Sequence, residues 1–393
     1  MNTGHIVTRG LNQANLSVAD ILFRDYATDI LNEIVQEFWM MEKWKFRKAS
    51  FTISTTSGTS EYTLNKRVMI NDIIQNSMRG SSPIRRIKYR PTAEHNRLVF
   101  SSDSGDPYWY REGTLQGFQT NPSSASTISF VSSLTNYTTG TVTIPNGSRR
   151  MVFTNSTITL DMIGRWIRIG SDTKAFRIVQ RDYGSSSIFY LNEAYDGVSK
   201  INETFVIGDV NQKVSVLGIV SSQLTEEEVQ LNGASAAVTT KSFSSIVRIS
   251  KDKTYGYVTG TSNSGAVTNI VLDPGETEAD FQTVLFYPAP DATETLNYDA
   301  YQRHPILYKP TDSPLFPGQY HPLLVTELYI RLMEDWNKKG VGAETLRRRD
   351  QLLQDMVSQN NNTDNWQILQ ESEESSERSN LDNLPATYGY QDE

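Results

Sequence analysis

Apolar residues recur at three- and four-residue spacings between residues 17 and 48, with Val18, Ile21, Leu22, Ile30, Leu31, Ile34, Val35 and Phe38 on one stripe. That spacing predicts a long amphipathic helix over 17–48. Ser17 and Asp20 stand where a capping box would open it. The end of this stretch is crowded with Phe38, Trp39, Met40, Met41, Trp44 and Phe46. Such a cluster either fills a helix-to-sheet core or meets another subunit. The period then shortens to two. Residues 49–55, a turn at 57–60 and Glu61 to Leu64 read as a hairpin. Stretches 67–76 and 83–90 read as further strands, although VMINDIIQNSM fits a short helix equally well.

From Pro107 onward, runs such as ASTISFVSSL, TGTVTIP, RRMVFTN, RWIRIG, AFRIVQRD and SIFYLNEAY alternate apolar and polar positions between Gly, Asn and Asp turns. This is the pattern of antiparallel sandwiches or barrels with one wet face per strand. One module is expected over about 135–213 and a second over about 224–282, with KVSVLGIVSS carrying the chain back through the base between them. Pro288, Pro290, Pro305, Pro310, Pro314 and Pro317 then mark an extended crossing. A helix follows with Pro322 in its first turn and Leu324, Leu328, Leu332 and Trp336 along one face. After Gly340 and Gly342, a last helix over 343–357 turns Leu346, Leu353 and Met356 inward and Arg347, Arg348 and Arg349 outward. Helices at both ends and sheets between them predict an α+β chain whose terminal segments pair around a base from which the middle protrudes.

Composition narrows the chemistry. With 393 residues the chain is long enough for two or three domains with real cores. It has no Cys, which excludes disulfides and thiol chemistry, and its four His are far apart, so no metal site and no cofactor is expected. No apolar run approaches the length of a membrane-spanning helix, and the N-terminus lacks the apolar stretch of a secretory signal. No phosphate loop, dinucleotide fingerprint, nucleophile elbow or zinc-protease motif occurs. GDPYWYRE mixes acids and aromatics as a glycosidase would, but a second carboxylate across a cleft is not identifiable, and a turn with core aromatics is the simpler reading. SDSGD lacks the spacing of a calcium loop. His304 reads as a packing or capping residue.

Charge is uneven. The net charge is -8, yet Ser358 to Glu393 holds eight acids against Arg378 alone, which leaves the rest of the chain close to neutral. This tail reads as disordered in the isolated protein, with Trp366, Tyr388 and Tyr390 as scattered aromatic anchors. Between Lys66 and Arg90, by contrast, Lys66, Arg67, Arg79, Arg85, Arg86, Lys88 and Arg90 meet a single acid, Asp72. That basic band is either a solvated face or a contact for an acidic partner or passing DNA.

Three pieces of sequence resemble the head-to-tail connector, or portal adaptor, proteins of tailed bacteriophages. They are FWMMEKWKFRKASFTIST leading into SEYTLNKRVMINDIIQ, the pair GDPYWYRE and VLFYPAPDATETLNYDAY, and SPLFPGQYHPLLVTELYIRLME. Under this resemblance residues 1–122 and 283–357 form the two halves of a helical adaptor base, and 358–393 is an acidic tail that orders on a portal or a neighbour. Residues 123–223 and 224–282 would be inserted β-sandwich or β-barrel modules, and ASTISFVSS would echo ATETLNYDAY as a duplicated strand position. The resemblance implies a non-catalytic virion protein of the neck, made in the host cytoplasm and not associated with a membrane. Twelve copies would form a ring around the DNA exit channel, with the portal protein above and tail, nozzle or stopper proteins below. It implies contact roles for Trp39, Trp44, Tyr329, Trp336, Arg347, Arg348, Arg349, Trp366, Tyr388 and Tyr390. Arg79, Arg85, Arg86, Lys88 and Arg90 would face the channel or an acidic partner. The competing readings are a tail-tube or baseplate component, a surface glycan- or receptor-binding module, and a hydrolase.

Overall fold

The computed structural model describes residues 1–360 apart from 19, 75–76, 82–83, 92–103, 160–161, 183, 263–266 and 338–339. The chain opens with a helix the periodicity did not announce, α1 (Thr3–Gln13), capped by the Asn2 side chain accepting from the His5 amide. Next comes α2 (Ile21–Met41), capped by Asp20 accepting from the Leu22 amide. The helix expected over 17–48 is thus shorter at both ends. Its C-terminus stops because side chains take the carbonyls that a further turn would have used. Trp44 Nε1 donates to the Phe38 carbonyl at 2.6 Å, and Arg47 Nη1 donates to the Trp39 carbonyl at 2.7 Å.

The chain then lays down β1 (Lys48–Ser54), β2 (Glu61–Thr63), a 3-10 turn at Ile70–Asp72, β3 (Arg79–Ser81), β4 (Ile84–Arg86), β5 (Lys88–Tyr89) and β6 (Trp109–Gln116). It leaves this region through β7 (Ile128–Ser132) and continues into β8 (Thr141–Ile144), β9 (Arg150–Thr154), β10 (Trp166–Ile169), β11 (Ala175–Arg181), β12 (Ile188–Leu191), β13 (Lys200–Glu203) and β14 (Phe205–Gly208). It comes back through β15 (Lys213–Val220), β16 (Gln223–Gln230), β17 (Ala237–Val238), β18 (Ser245–Lys251), β19 (Val258–Ser262) and β20 (Val267–Leu272). It closes with β21 (Phe281–Tyr287), β22 (Thr295–Tyr301), α3 (His321–Leu332), a π turn at Met333–Asn337, and α4 over 343–360.

Three β units result. In the first, β1-β22-β3-β4 and β2-β21-β6-β5 form two four-stranded sheets, with Ile53, Tyr110, Val284, Phe286, Leu296 and Tyr298 buried in one core. Each sheet draws strands from both halves of the sequence. In the second, the sheets β16-β15-β18 and β17-β7-β19-β20 sandwich Phe130, Val214, Val216, Phe243, Ile249 and Ile270. The third is a curled seven-stranded sheet in the order β13-β8-β9-β12-β11-β10-β14. Its first and last members are consecutive in sequence, separated by Thr204 alone, so one bent segment joins the two ends and the sheet wraps around Phe153, Phe176, Phe189 and Phe205.

The insertions are therefore nested. The curled sheet is inserted between β7 and β15 of the sandwich, and the sandwich is inserted between β6 and β21 of the first unit. The sandwich begins before 135 rather than at 224. The stretch KVSVLGIVSS does not return through the base; as β15 it is the central strand of the sandwich. Local hairpin geometry explains this: Ser221 and Ser222 both take positive φ, 50° and 67°, the two-residue turn that ties β15 to β16 in register from Val220 with Gln223 to Lys213 with Gln230. Likewise β7 pairs with β17 and β19 while β22 pairs with β1 and β3, so the two echoing segments lie in different sheets.

At the two ends of the chain, α1, α2 and α3 share a core of Ile6, Leu11, Leu31, Ile34, Val35, Leu324 and Leu328, joined by Met356 from α4. Gly10 lets α1 approach α3, since a Cβ there would sit 2.8 Å from Leu328 Cδ2. Among the described residues no helix is long and apolar enough to cross a membrane.

Candidate functional site

The residues expected at subunit contacts divide into three groups. Trp39 and Trp44 are not surface contacts: both are 0% exposed. Trp39 Nε1 donates to the Gln302 carbonyl at 2.7 Å, and its ring meets Phe46, Phe316 and His304. They hold the helical core onto the start of β1. Tyr329 is half-buried against the same core. Trp336 stays 52% exposed, edge-on to Phe23 at 4.9 Å and tilted on Tyr26 at 5.6 Å. With Leu22, 71% exposed, these rings make an apolar patch on the flank of α2, the kind of surface that marks an interaction site.

Arg347 and Arg348 point outward from α4 as expected, but Arg349 does not. It turns toward the buried Glu327, Nη1 to Oε2 at 3.6 Å. Glu327 Oε1 accepts from Arg331 Nε at 3.3 Å, and Arg331 also reaches Glu37 on α2. Arg349 therefore belongs to a charge network joining α4, α3 and α2. Trp366, Tyr388 and Tyr390 lie outside the described residues.

The basic band is brought together on strands. Arg79 and Arg86 are directly opposed in the β3–β4 ladder, and both are exposed. Arg85 is on β4, with its side chain outside the described set. Lys88, exposed, pairs across β5 and β6 with Trp109. The Arg90 guanidinium stacks 3.6 Å above the Trp109 ring. Trp109 in turn stacks on Tyr287 at 6.0 Å, with Tyr108 edge-on at 4.7 Å. A cationic edge thus runs into an aromatic cluster in which Tyr108 is exposed and Trp109 and Tyr287 are half-buried. Glu112 of the GDPYWYRE segment accepts from Gln282 Nε2 at 2.7 Å, which places it within the sheet's own hydrogen bonding.

A third set was missed in the sequence, where nothing in IGDVNQ distinguishes Asp209 from an ordinary turn residue. Asp209 is 0% exposed and lies between β14 and β15, at the neck where the curled sheet leaves the sandwich. Its carboxylate accepts from Ser132 Oγ at 2.6 Å and from the amides of Tyr255 and Gly256 at 2.8 Å each. Ser132 ends β7, the outgoing strand. One carboxylate therefore ties both crossings of the neck to the sandwich. The curled sheet is also tied to the helices: Arg177 donates from Nη1 and Nη2 to Asp25 at 2.6 and 3.2 Å. Lys253 of the sandwich reaches Asp29 at 2.7 Å.

Titratable groups elsewhere read as structural. His304 is buried, its Nε2 accepts from the Leu315 amide at 2.9 Å, and its Nδ1 proton goes to the Pro305 carbonyl. Burial depresses its pKa to about 4, so it is neutral and packs as a ring. Burial also lowers Lys251 to about 8, although its ammonium donates to Asp252, Thr254 and Pro274. Among the described residues no group of His, Asp and Glu converges as metal ligands would. No protein-family model matches this chain, and no characterised protein matches it in sequence.

Proposed function

We propose that the chain is a structural virion protein that forms a ring connecting the capsid portal to the tail and surrounding the DNA exit channel. The observation that carries this reading is the construction of the base. Helices from the two ends of the chain share one core, beside sheets that interleave strands from before residue 117 and after residue 280. The 160 or so residues between them form the nested sandwich and curled sheet. A base of this kind can repeat around an axis while the modules project from it. The apolar patch of Leu22, Phe23, Tyr26 and Trp336 supplies a seam, Arg347 and Arg348 face outward from α4, and Arg79, Arg86 and Lys88 present cations to a channel or an acidic partner. Phosphate contact in such a channel is modest by necessity, because DNA must slide. Twelve copies would match the portal above, with tail, nozzle or stopper proteins below.

The test is mass photometry of the chain with the portal ring of its own phage. A complex heavier than the portal by a whole ring of chains, weakened by Trp336→Ala, supports the reading; portal and monomer staying separate argues against it. The cluster of Tyr108, Trp109 and Tyr287 beside Arg90 favours a second reading, a surface module that stacks on sugar rings. Retention on a glycan array, lost in Trp109→Ala, would support it. A tail-tube or baseplate role would give rings without portal affinity.

A further inference from the structure

The outward face of the β1-β22-β3-β4 sheet carries an electrostatic imbalance. It carries the exposed Lys48, Ser50, Thr52 and Ser54 of β1 and, on β22, the exposed Thr295 and the half-buried Asn297, Asp299 and Tyr301. The register sets Thr52, Asn297, Arg79 and Arg86 in one row across the sheet. Arg79 and Arg86 are thus neighbours of like charge, about 5 Å apart at Cβ, an arrangement that destabilises a sheet unless an anion lies over it. Neither forms an ion pair among the described residues. Asp299, on the same face, is engaged by the Ser50 hydroxyl at 2.5 Å.

The end of α4 lies nearby. Asn360, the last residue of α4, accepts from the Lys45 amide at 3.1 Å, and Gln359 accepts from Gln319 and Tyr320. Residue 360 is therefore held close to the start of β1. From there to the arginine pair is three interstrand steps and about four residues along the strand, roughly 20 Å on the diagonal. Glu371, Glu373, Glu374 and Glu377 follow Asn360 by 11 to 17 residues. A random-coil chain of that many residues would span about 20 Å root-mean-square. Reach matches span, the condition under which a tether gives its highest effective concentration, in the millimolar range. An external polyanion has no such advantage and must approach a chain of net charge -8.

We propose that the acidic segment 371–377 of the chain's own tail lies across this face over the Arg79–Arg86 pair, and occupies in the free protein the surface that nucleic acid would otherwise take. The inference does not depend on ring formation.

Because the chain has no Cys, nitroxides can be placed at Thr52→Cys and Ser376→Cys in the full-length protein, diluted with unlabelled chain. Pulsed electron paramagnetic resonance is expected to show a population centred below about 25 Å. That population disperses at about 1 M salt and in the Arg79→Gln/Arg86→Gln variant. A broad distribution indifferent to both changes overturns the proposal, as does a short distance that vanishes on spin dilution. A second arm leaves the folded part untouched. Replacing the four glutamates by Gln is expected to tighten binding of a labelled DNA duplex about tenfold, the competition a millimolar tether exerts. Equal duplex affinity with and without the glutamates means the tail does not cover this face.

Discussion

Removing the Asp209 carboxylate tests the neck directly. The side chain is fully buried and accepts three hydrogen bonds, from Ser132 Oγ and the amides of Tyr255 and Gly256. Each bond to a charged acceptor contributes roughly 1.5–3 kcal/mol. Asp209→Ala strands all three donors in a dry site. Because bonds to one carboxylate are not additive, the expected loss is about 3–5 kcal/mol, a large share of the ~5–15 kcal/mol that holds a domain folded. Asp209→Asn keeps one carbonyl oxygen for an amide but turns an NH2 toward another donor, so about half that loss is expected. The assay is urea unfolding followed by hydrogen exchange and mass spectrometry. Peptides covering 252–258 and 205–215 should lose protection first, while those of the helical core keep theirs. An Asp209→Ala protein within about 0.5 kcal/mol of the parent, with unchanged exchange at Tyr255 and Gly256, would refute the reasoning.

Other consequences follow from the same contacts. His304 has a folded pKa of about 4 against 6.5 for the free side chain, so the unfolded chain binds its proton first. Its neutral ring therefore contributes stability that is present above pH 6.5 and lost as pH falls toward 4, about 3 kcal/mol in all; His304→Gln should flatten that part of the urea-midpoint profile relative to the parent. Arg331→Ala leaves Glu327 buried with Arg349 as its remaining partner and should cost about 2–4 kcal/mol by chemical denaturation; a neutral result would mean the network is solvated. Gly10→Val forces α1 away from Leu328 and should cost about 1–3 kcal/mol, read as a lowered melting temperature. Asp25→Asn weakens the bidentate hold on Arg177 and should raise exchange in β10 and β11 without altering the helical core; unchanged exchange would assign that orientation to other contacts.

Much of this architecture was legible in the residues, for identifiable reasons. α3 followed its leucine stripe and Pro322, and the alternating strands from 128 to 272 marked themselves by period. The limits were also physical. α1 is short, and half of its partners are on α3, more than 300 residues away, so its periodicity carried little signal. The termination of α2 depends on Trp44 and Arg47 side chains turning back onto carbonyls, which no local propensity encodes. The nesting of the modules was hidden because β7 and β15 read as generic strands; only the Ser221–Ser222 turn, for β15, and the long-range pairing with β19, for β7, reveal the two sheets of the sandwich to which they belong. Aromatic crowding at 38–46 fitted core and interface alike, and burial decided for the core at Trp39 and Trp44. The basic band was visible as composition, but the opposition of Arg79 and Arg86 across one ladder is a property of register. Asp209 had no signature, because a buried carboxylate that binds backbone amides looks in sequence like any acid in a turn.

The most direct test of the connector reading is a cryo-electron microscopy reconstruction of the protein mixed with the portal ring that this reading assigns to it. The expected result is a ring of twelve chains stacked on the portal, with the helical bases side by side, Trp336 in the seam between neighbours and the nested modules projecting from the wall. A portal ring that remains bare at saturating protein, or a complex in which the chain attaches through its sandwich or curled sheet with the helical base free, would contradict it.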